Sequence, residues 1–574
     1  MIGVFAYLVW RSGYNRIVRQ LRHLRSPRYV AALLLGAGYL WIILFDQRPS
    51  PVASRAITGG WIEVVGALAL LGAVAWGWVF GVERRVLAFS PAEVTFLFSA
   101  PISRRGLIQF KLLRNQLLIL FNTLLWTLIL SRERFGASPW LRSLSIWILL
   151  TTLSFHRLGA SFVRTSLSEH GRYGVRHRVV SMAVLGIVCI ALLVSLAEAL
   201  PALEAGRASG ALAFLNALSA QAERPLARVV LWPFTTMVRP LSAGTITEWL
   251  HAIGPALALL LLHAVWVVRS DSAFEEAAAE ASLDRARAAA DRRTGPRRGP
   301  TVAHRPLPHF LRLRPAGWRA GAIFWKNLIA VFRMRRTRSA VLAVVVAGAV
   351  AAVSSMRGQS TLADIAGWLS LTWAGVMLIV GPQWVRNDLR GDLTKLDLLR
   401  SYPLRGSSIV QAEVSASTLA LTLMQLGLLL VAYLAFLGND EFRFDLPERT
   451  LLLGAAVVYL PLINFAGLLI HNAAAVLYPA WVHLGVGRPG GVEALGQNML
   501  MIIAFTILLG ITLVIPVTLG GATVAMLHPW IRNAALIPGT LVLLATLGAE
   551  AWLIVNWLGR VFERTDPGSA GLPA

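Results

Sequence analysis

Lysine is nearly absent from this chain. Lys111, Lys326 and Lys395 are the only three among 54 basic residues, so arginine carries almost all of the positive charge. Cysteine is rarer still. Cys189 is alone, which excludes an internal disulfide framework and a cysteine-rich metal site. Charge of either sign is scarce, at 14% of residues against about 25% in soluble domains. Acidic residues are the scarcer sign, 29 against 54, and the formal net charge is +25. Enzymatic motifs are missing as well. No lysine follows the Gly-x-x-x-x-Gly pattern with which a P-loop wraps phosphate. There is no His-Glu-x-x-His and no Gly-x-Ser-x-Gly, so the usual zinc- and serine-hydrolase arrangements are excluded. His156, His170 and His177 match no metal-ligand spacing, and the glycine-rich stretch 485–496 has no lysine and reads as a turn.

What the chain has is apolar length. Hydrophobic residues make up 56% and mean hydropathy is +0.63. Runs of about 20 apolar residues match the thickness of a bilayer's hydrocarbon core. The expected fold is an all-α integral membrane protein with about 12 transmembrane helices. The spans read as 29–45, 61–80, 117–130, 144–163, 179–197, 250–268, 340–353, 365–381, 419–437, 451–470, 499–517 and 536–558. Between the fifth and sixth, 198–248 is too interrupted to span and reads as short dipping helices; 518–532 replaces it in the second half.

The basic residues fall in alternate loops, which places those loops and both termini in the cytoplasm. The arginine excess is thus a topology signal, and no nucleic-acid partner is expected, because no interleaved aromatics or binding fold accompany the charge. Residues 1–28 alternate apolar and basic positions and read as an interfacial amphipathic helix against anionic membrane lipids. The charge order there is wrong for a cleaved secretory signal. Residues 270–320, with Pro296, Pro300, Pro306 and Pro308, form a cytoplasmic linker between a first six-span repeat at 29–269 and a second at 321–564. Residues 565–574 are a tail. Six is even, so the repeats are parallel.

The duplication is clearest in two charged stretches. Shifted by 302 positions without a gap, residues 82–117 match residues 384–419. Arg84 meets Arg386, Leu97 meets Leu399, Ser99 meets Ser401, Pro101 meets Pro403 and Gln109 meets Gln411. Each copy lies between two apolar runs, on the cytoplasmic side. Both are expected to be docking loops, at 82–116 and 384–417, symmetrically placed for a two-fold partner.

The interfacial first helix, six spans, a large second cytoplasmic loop and a re-entrant stretch before the last span together resemble the membrane subunits of type-2 ABC exporters. FSPAEVTFLFSAPISRR at 89–105, NAAAVLYPAWVHLG at 472–485 and RPGGVEALGQ at 488–497 resemble the group of fused bacterial permeases called putative ABC exporters. The resemblance covers nearly the whole chain. It implies a permease of the bacterial inner membrane, driven by a separate ATPase, itself a dimer, that holds ATP and Mg. This chain would then hold no cofactor or metal and would not be an enzyme. It further implies coupling helices at 92–97 and 394–399. Contacts to the ATPase would come from Phe96, Leu97, Leu398 and Leu399, with Pro101 and Pro403 shaping the turns. Glu93, Arg104, Arg105, Lys395 and Arg405 at the rim would set register.

Polar residues inside spans are costly and mark function. Glu550 stands inside the last run and His263 inside the sixth; Asn122 and Gln425 are expected to bond between helices. An ion-coupled secondary transporter would need several such carboxylates, and Glu550 is essentially alone. A non-transport scaffold is the other alternative. The sequence names no cargo.

Overall fold

The computed structural model describes residues 60–80, 104–129, 138–169, 171–208, 211–269, 317–333, 335–356, 360–393, 396–437, 444–478 and 495–565, with Tyr7, Arg11, Tyr14, Asn15 and Val18 near the N-terminus. The described residues contain helices, turns and short connections, and no strand occurs among them. The protein is an all-α integral membrane protein. Its chain divides into two compact units, residues 1–304 with 490–496 and residues 305–489 with 497–574. Most of the interfacial segment 1–28, the span at 29–45 and most of the linker at 270–320 lie outside the described residues.

In the first unit the helices are α1 (Trp61–Phe80), α2 (Arg104–Ile129), α3 (Pro139–Glu169), α4 (Gly171–Ala208), α5 (Ala211–Ala222), α6 (Pro225–Ser242) and α7 (Ile246–Arg269). Helix α3 packs on α2 and α7, and α6 on α1 and α7. Their shared core holds Ile148, Met237, Trp249, Ile253 and Leu260. Polar groups caught between helices find partners there, as they must away from water. Trp249 Nε1 donates to Ser145 Oγ at 2.9 Å, and that hydroxyl lies 3.1 Å from the Pro240 carbonyl. Helix α5 and the proline-started α6 are the short helices expected between the fifth and sixth spans.

In the second unit the helices are α8 (Gly321–Arg333), α9 (Arg335–Met356), α10 (Ser360–Trp384), α11 (Leu389–Asp392), α12 (Leu396–Arg400), α13 (Gly406–Ala435), α14 (Leu446–Leu477), α15 (Leu495–Ile531) and α16 (Leu536–Arg564). Helix α13 is central: α8, α9, α10, α14 and α16 all pack on it. Asp445 starts α14 with a capping box. Its side chain accepts from the backbone of Glu448, and the Glu448 carboxylate accepts from the Asp445 N–H, satisfying donors that a helix start leaves unpaired.

Eight described helices carry stretches long and apolar enough to cross a membrane, namely α4, α7, α9, α10, α13, α14, α15 and α16. Helix α1 is found where a span was expected, with a shorter apolar stretch, Trp61–Ala75. The expected spans at 117–130 and 144–163 fall on α2 and α3, except Leu130, which is outside the described residues.

One expectation is corrected outright. Residues 518–532 are not a separate outer stretch, because α15 continues through them to Ile531. Its 37 residues rise about 55 Å at 1.5 Å per residue. Pro516, Gly520 and Gly521, which would break a helix in water, are tolerated where helices pack in a membrane. The helix ends at Arg532, whose φ of 53° is left-handed, and a 3-10 turn at Arg532–Ala535 leads into α16.

Candidate functional site

The second candidate docking loop falls within the described residues except Thr394 and Lys395. Past Trp384 the chain runs extended to Asp388, makes the short helices α11 and α12, turns at 401–405 and enters α13 at Gly406. Leu389, Leu393, Leu396 and Leu399 recur every three to four residues and all are buried, Leu399 at 3% exposure. They share one core with Ile409, Val410, Leu468, Leu469, Leu558 and Phe562. The opposite side is open. Leu398 is 55% exposed, and Ser401, Tyr402, Pro403 and Arg405 are exposed beside it.

Leu399 was expected on the partner-facing side with Leu398. The structure places it in the core, because adjacent helical residues point about 100° apart and the leucine period selects Leu399 for burial. Of the other expected contact residues, Glu93, Phe96, Leu97, Pro101 and Lys395 lie outside the described residues. Arg104 and Arg105 begin α2, but their side chains are outside the described set.

Beneath the exposed face lies a buried charged cluster. The Asp388 side chain accepts from the Arg390 N–H at 3.1 Å and starts α11. Its carboxylate also pairs with the Arg390 guanidinium, at 2.9 Å to Nε and 2.5 Å to Nη2, with side-chain exposures of 0% and 3%. Nη2 donates onward to the Val385 carbonyl at 2.7 Å. From α14, Asn472 Nδ2 donates to Asp388 Oδ2 at 3.1 Å. From α8, Asn327 Nδ2 donates to Glu413 of α13 at 2.5 Å, and the Asn327 carbonyl accepts from Asn387 at 2.6 Å. Ser417 of α13 donates to the Asn387 carbonyl at 3.0 Å. Lys326 pairs with Asp392 and lies 3.7 Å from Glu413. Burial alone would lower the Lys326 pKa; the hydrogen bond to Asp392 and the charges of Glu413 and Asp392 outweigh it and raise the value.

Three helices distant in sequence therefore clamp residues 385–392. A buried charge is tolerable only when paired and hydrogen-bonded, and Asp388 and Arg390 meet that condition. These residues were not singled out from sequence, although signals for them exist. Asn387, Asp388, Arg390 and Asp392 form a dense polar string directly after an apolar helix, and Glu413 interrupts an apolar run. Asn472 opens one of the strings that carried the family resemblance.

The intramembrane candidates separate by environment. Gln425 of α13 is fully buried; its Oε1 accepts from Asn464 of α14 at 2.6 Å, and its Nε2 faces the Ala374 carbonyl of α10 at 3.4 Å. Asn122 is fully buried, and its Nδ2 donates to Leu118 O of its own helix at 2.8 Å. His263 meets His156 of α3 instead of standing by itself, with Nε2 3.2 Å from His156 Nδ1. Trp78 Nε1 donates to His156 Nε2 at 3.1 Å, and His263 Nδ1 is 2.8 Å from Leu259 O. An indole can only donate and a carbonyl only accept, so along this chain each imidazole donates through Nδ1 and accepts through Nε2. His156 thus joins α1, α3 and α7; the side chains of His170 and His177 are outside the described residues. Glu550 is half-buried on α16. Among the described residues no group of three metal-ligating side chains converges.

The family comparison bears on this helical membrane protein as a whole. The family model described as Putative ABC exporter matches residues 2–394. The chain belongs to that family. The match runs from the N-terminal segment through the first repeat and the linker to the end of α11. Family membership and the eight spanning-length helices make the protein a multi-pass membrane component of an ABC-type exporter, with an ATPase component as its implied partner. No curated protein and no solved structure matches the chain.

Proposed function

We propose that this chain is the permease through which a separate ATPase, acting as a dimer, drives export by gripping two cytoplasmic docking loops at 82–116 and 384–417. ATP and Mg would bind the partner. Closure of the ATPase would displace both loops, and each loop would move the spans on either side of it, so that a cavity changes sides. The observation that carries this reading is the two-sided build of residues 396–405. Leu396 and Leu399 root the segment in the core while Leu398, Tyr402, Pro403 and Arg405 stay open to a partner. Exposed apolar side chains beside a rim charge suit a specific protein contact. The parallel repeats and basic loops support an inner-membrane orientation with both termini inside.

The test is copurification in mild detergent with an ATPase expressed alongside. Arg405→Glu and a joint reversal at Arg104 and Arg105 should weaken the complex, and Glu550→Gln should leave it intact. Assembly and ATP hydrolysis indifferent to the loop changes would remove the docking assignment. Transport without any ATPase, abolished by Glu550→Gln, would favour an ion-coupled carrier instead.

A further inference from the structure

We propose that Arg400 and Glu563 form a latch that makes the second docking segment and α16 move as one body; this rests on the docking reading above. Arg400 closes α12, next to the exposed Leu398 and Tyr402. Its Nη2 donates to the carbonyls of Phe562 and Glu563, each at 2.9 Å, and to that of Thr565. These belong to the end of α16, where a helix leaves carbonyls without partners and carries its negative dipole end. In return the Glu563 carboxylate accepts from the Gly406 N–H at 2.6 Å. That N–H opens α13, where donors are unpaired and an anion is favoured. Arg400, at the end of α12, thus caps the end of α16, and Glu563 of α16 caps the start of α13.

Backbone contact fills the space between. A Cβ on Gly406 would stand 2.5 Å from the Gly559 carbonyl oxygen, and one on Gly559 would stand 2.3 Å from the Ser407 nitrogen. Only two glycines allow this approach. Leu558 and Phe562 complete the junction through the same core that holds Leu396 and Leu399. The chain itself joins the docking segment to α10 and α13 only. The latch adds α16, more than 150 residues away, and with it a helix of 29 residues that runs about 43 Å.

The latch belongs to one repeat. At the 302-residue shift, Phe98 and Arg104 stand where Arg400 and Gly406 stand. The first copy has neither the cation nor the small residue, although a glutamate recurs at Glu275 in the echo of 561–563. The two handles of the permease are therefore not equivalent: the second also drives the terminal helix.

Hydrogen exchange on the full chain in detergent tests the latch without any ATPase. Arg400→Met and Glu563→Ala should each speed exchange by about tenfold or more at both helix ends, 401–408 and 559–565, because the two caps hold one junction. Glu563→Gln keeps an acceptor for the Gly406 N–H and should restore protection. Substitutions that each loosen only one helix end would overturn the latch. Transmission is read in the copurified complex with Cys189→Ser and a reporter Ile537→Cys at the far end of α16. ATP with Mg should change maleimide labelling of the reporter, and Arg400→Met should abolish that change while ATPase binding and hydrolysis persist. A reporter that still responds with Arg400→Met, or never responds in either background, overturns the transmission claim. Failure of the complex to assemble counts against the docking assignment, and the exchange measurement then decides the latch by itself.

Discussion

Where the second repeat places Asp388, Arg390 and Glu413, the first repeat places Val86, Ala88 and Lys111. The apolar and proline pattern of the docking stretch has been kept in both copies, while the charged clamp is present in the second and replaced in the first. Stability by itself does not explain such a clamp. Burying an ion pair costs several kcal/mol in desolvation, and apolar replacements of similar volume are often neutral. The first copy carries valine and alanine at these positions. What a clamped pair adds is direction, since hydrogen bonds hold 385–392 in one orientation against α8, α13 and α14. The two copies therefore share an apolar and proline pattern in sequence, and the charges that tie the segment down are those of the second.

Removing one partner of the clamp should have the largest effect. Asp388→Ala leaves the Arg390 guanidinium buried and unpaired and should cost about 3–5 kcal/mol, read as a large drop in the thermal unfolding midpoint in detergent. Val86→Ala, at the matched position, should move it far less; equal shifts would erase the contrast between the repeats. Next, Leu399→Ala should cost about 2–5 kcal/mol through the cavity it opens, while Leu398→Ala should stay within about 0.5 kcal/mol as a surface change and instead weaken ATPase copurification. The reverse order would move the partner face to the other side of α12. Glu413→Ala strands the Asn327 donor and should cost about 1–3 kcal/mol, with Glu413→Gln, which can still accept from Asn327, losing less.

The smallest effect concerns Lys326. Its pKa is raised above the ordinary lysine value of 10.5, so its contribution is complete below that value and is lost only as pH climbs through the higher folded one. The part of the stability difference between the wild type and Lys326→Met that the ammonium itself carries should be lost above about pH 10. A difference that stays constant as pH climbs past the ordinary lysine value would mean that the pair with Asp392 adds nothing.

The docking stretch shows where the residues could be read and where they could not. Pro403 marked a turn between helices, and the expected exposed face holds Leu398; Pro101 lies outside the described residues. Leu399 misled because two adjacent leucines look alike until the helix period is anchored by Leu389, Leu393 and Leu396. Asn472 lay in a string noticed only for its resemblance, since nothing local tells an asparagine that it will meet Asp388, 84 residues earlier. His263 meets the Leu259 carbonyl one turn away on its own helix, which is local, but its second partner comes from 107 residues away.

Membrane residence, the helical class, the repeated pattern of the two charged stretches and most described helix positions followed from the residues alone. Each depends on local quantities: apolar run length against bilayer thickness, and the spacing of prolines and charges along one stretch. Which leucine turns inward, which charges pair, and which helix end Arg400 and Glu563 cap were decided only by the tertiary structure. Those outcomes depend on groups 66 to 165 residues apart, whose meeting is set by how α13 gathers its neighbours around it.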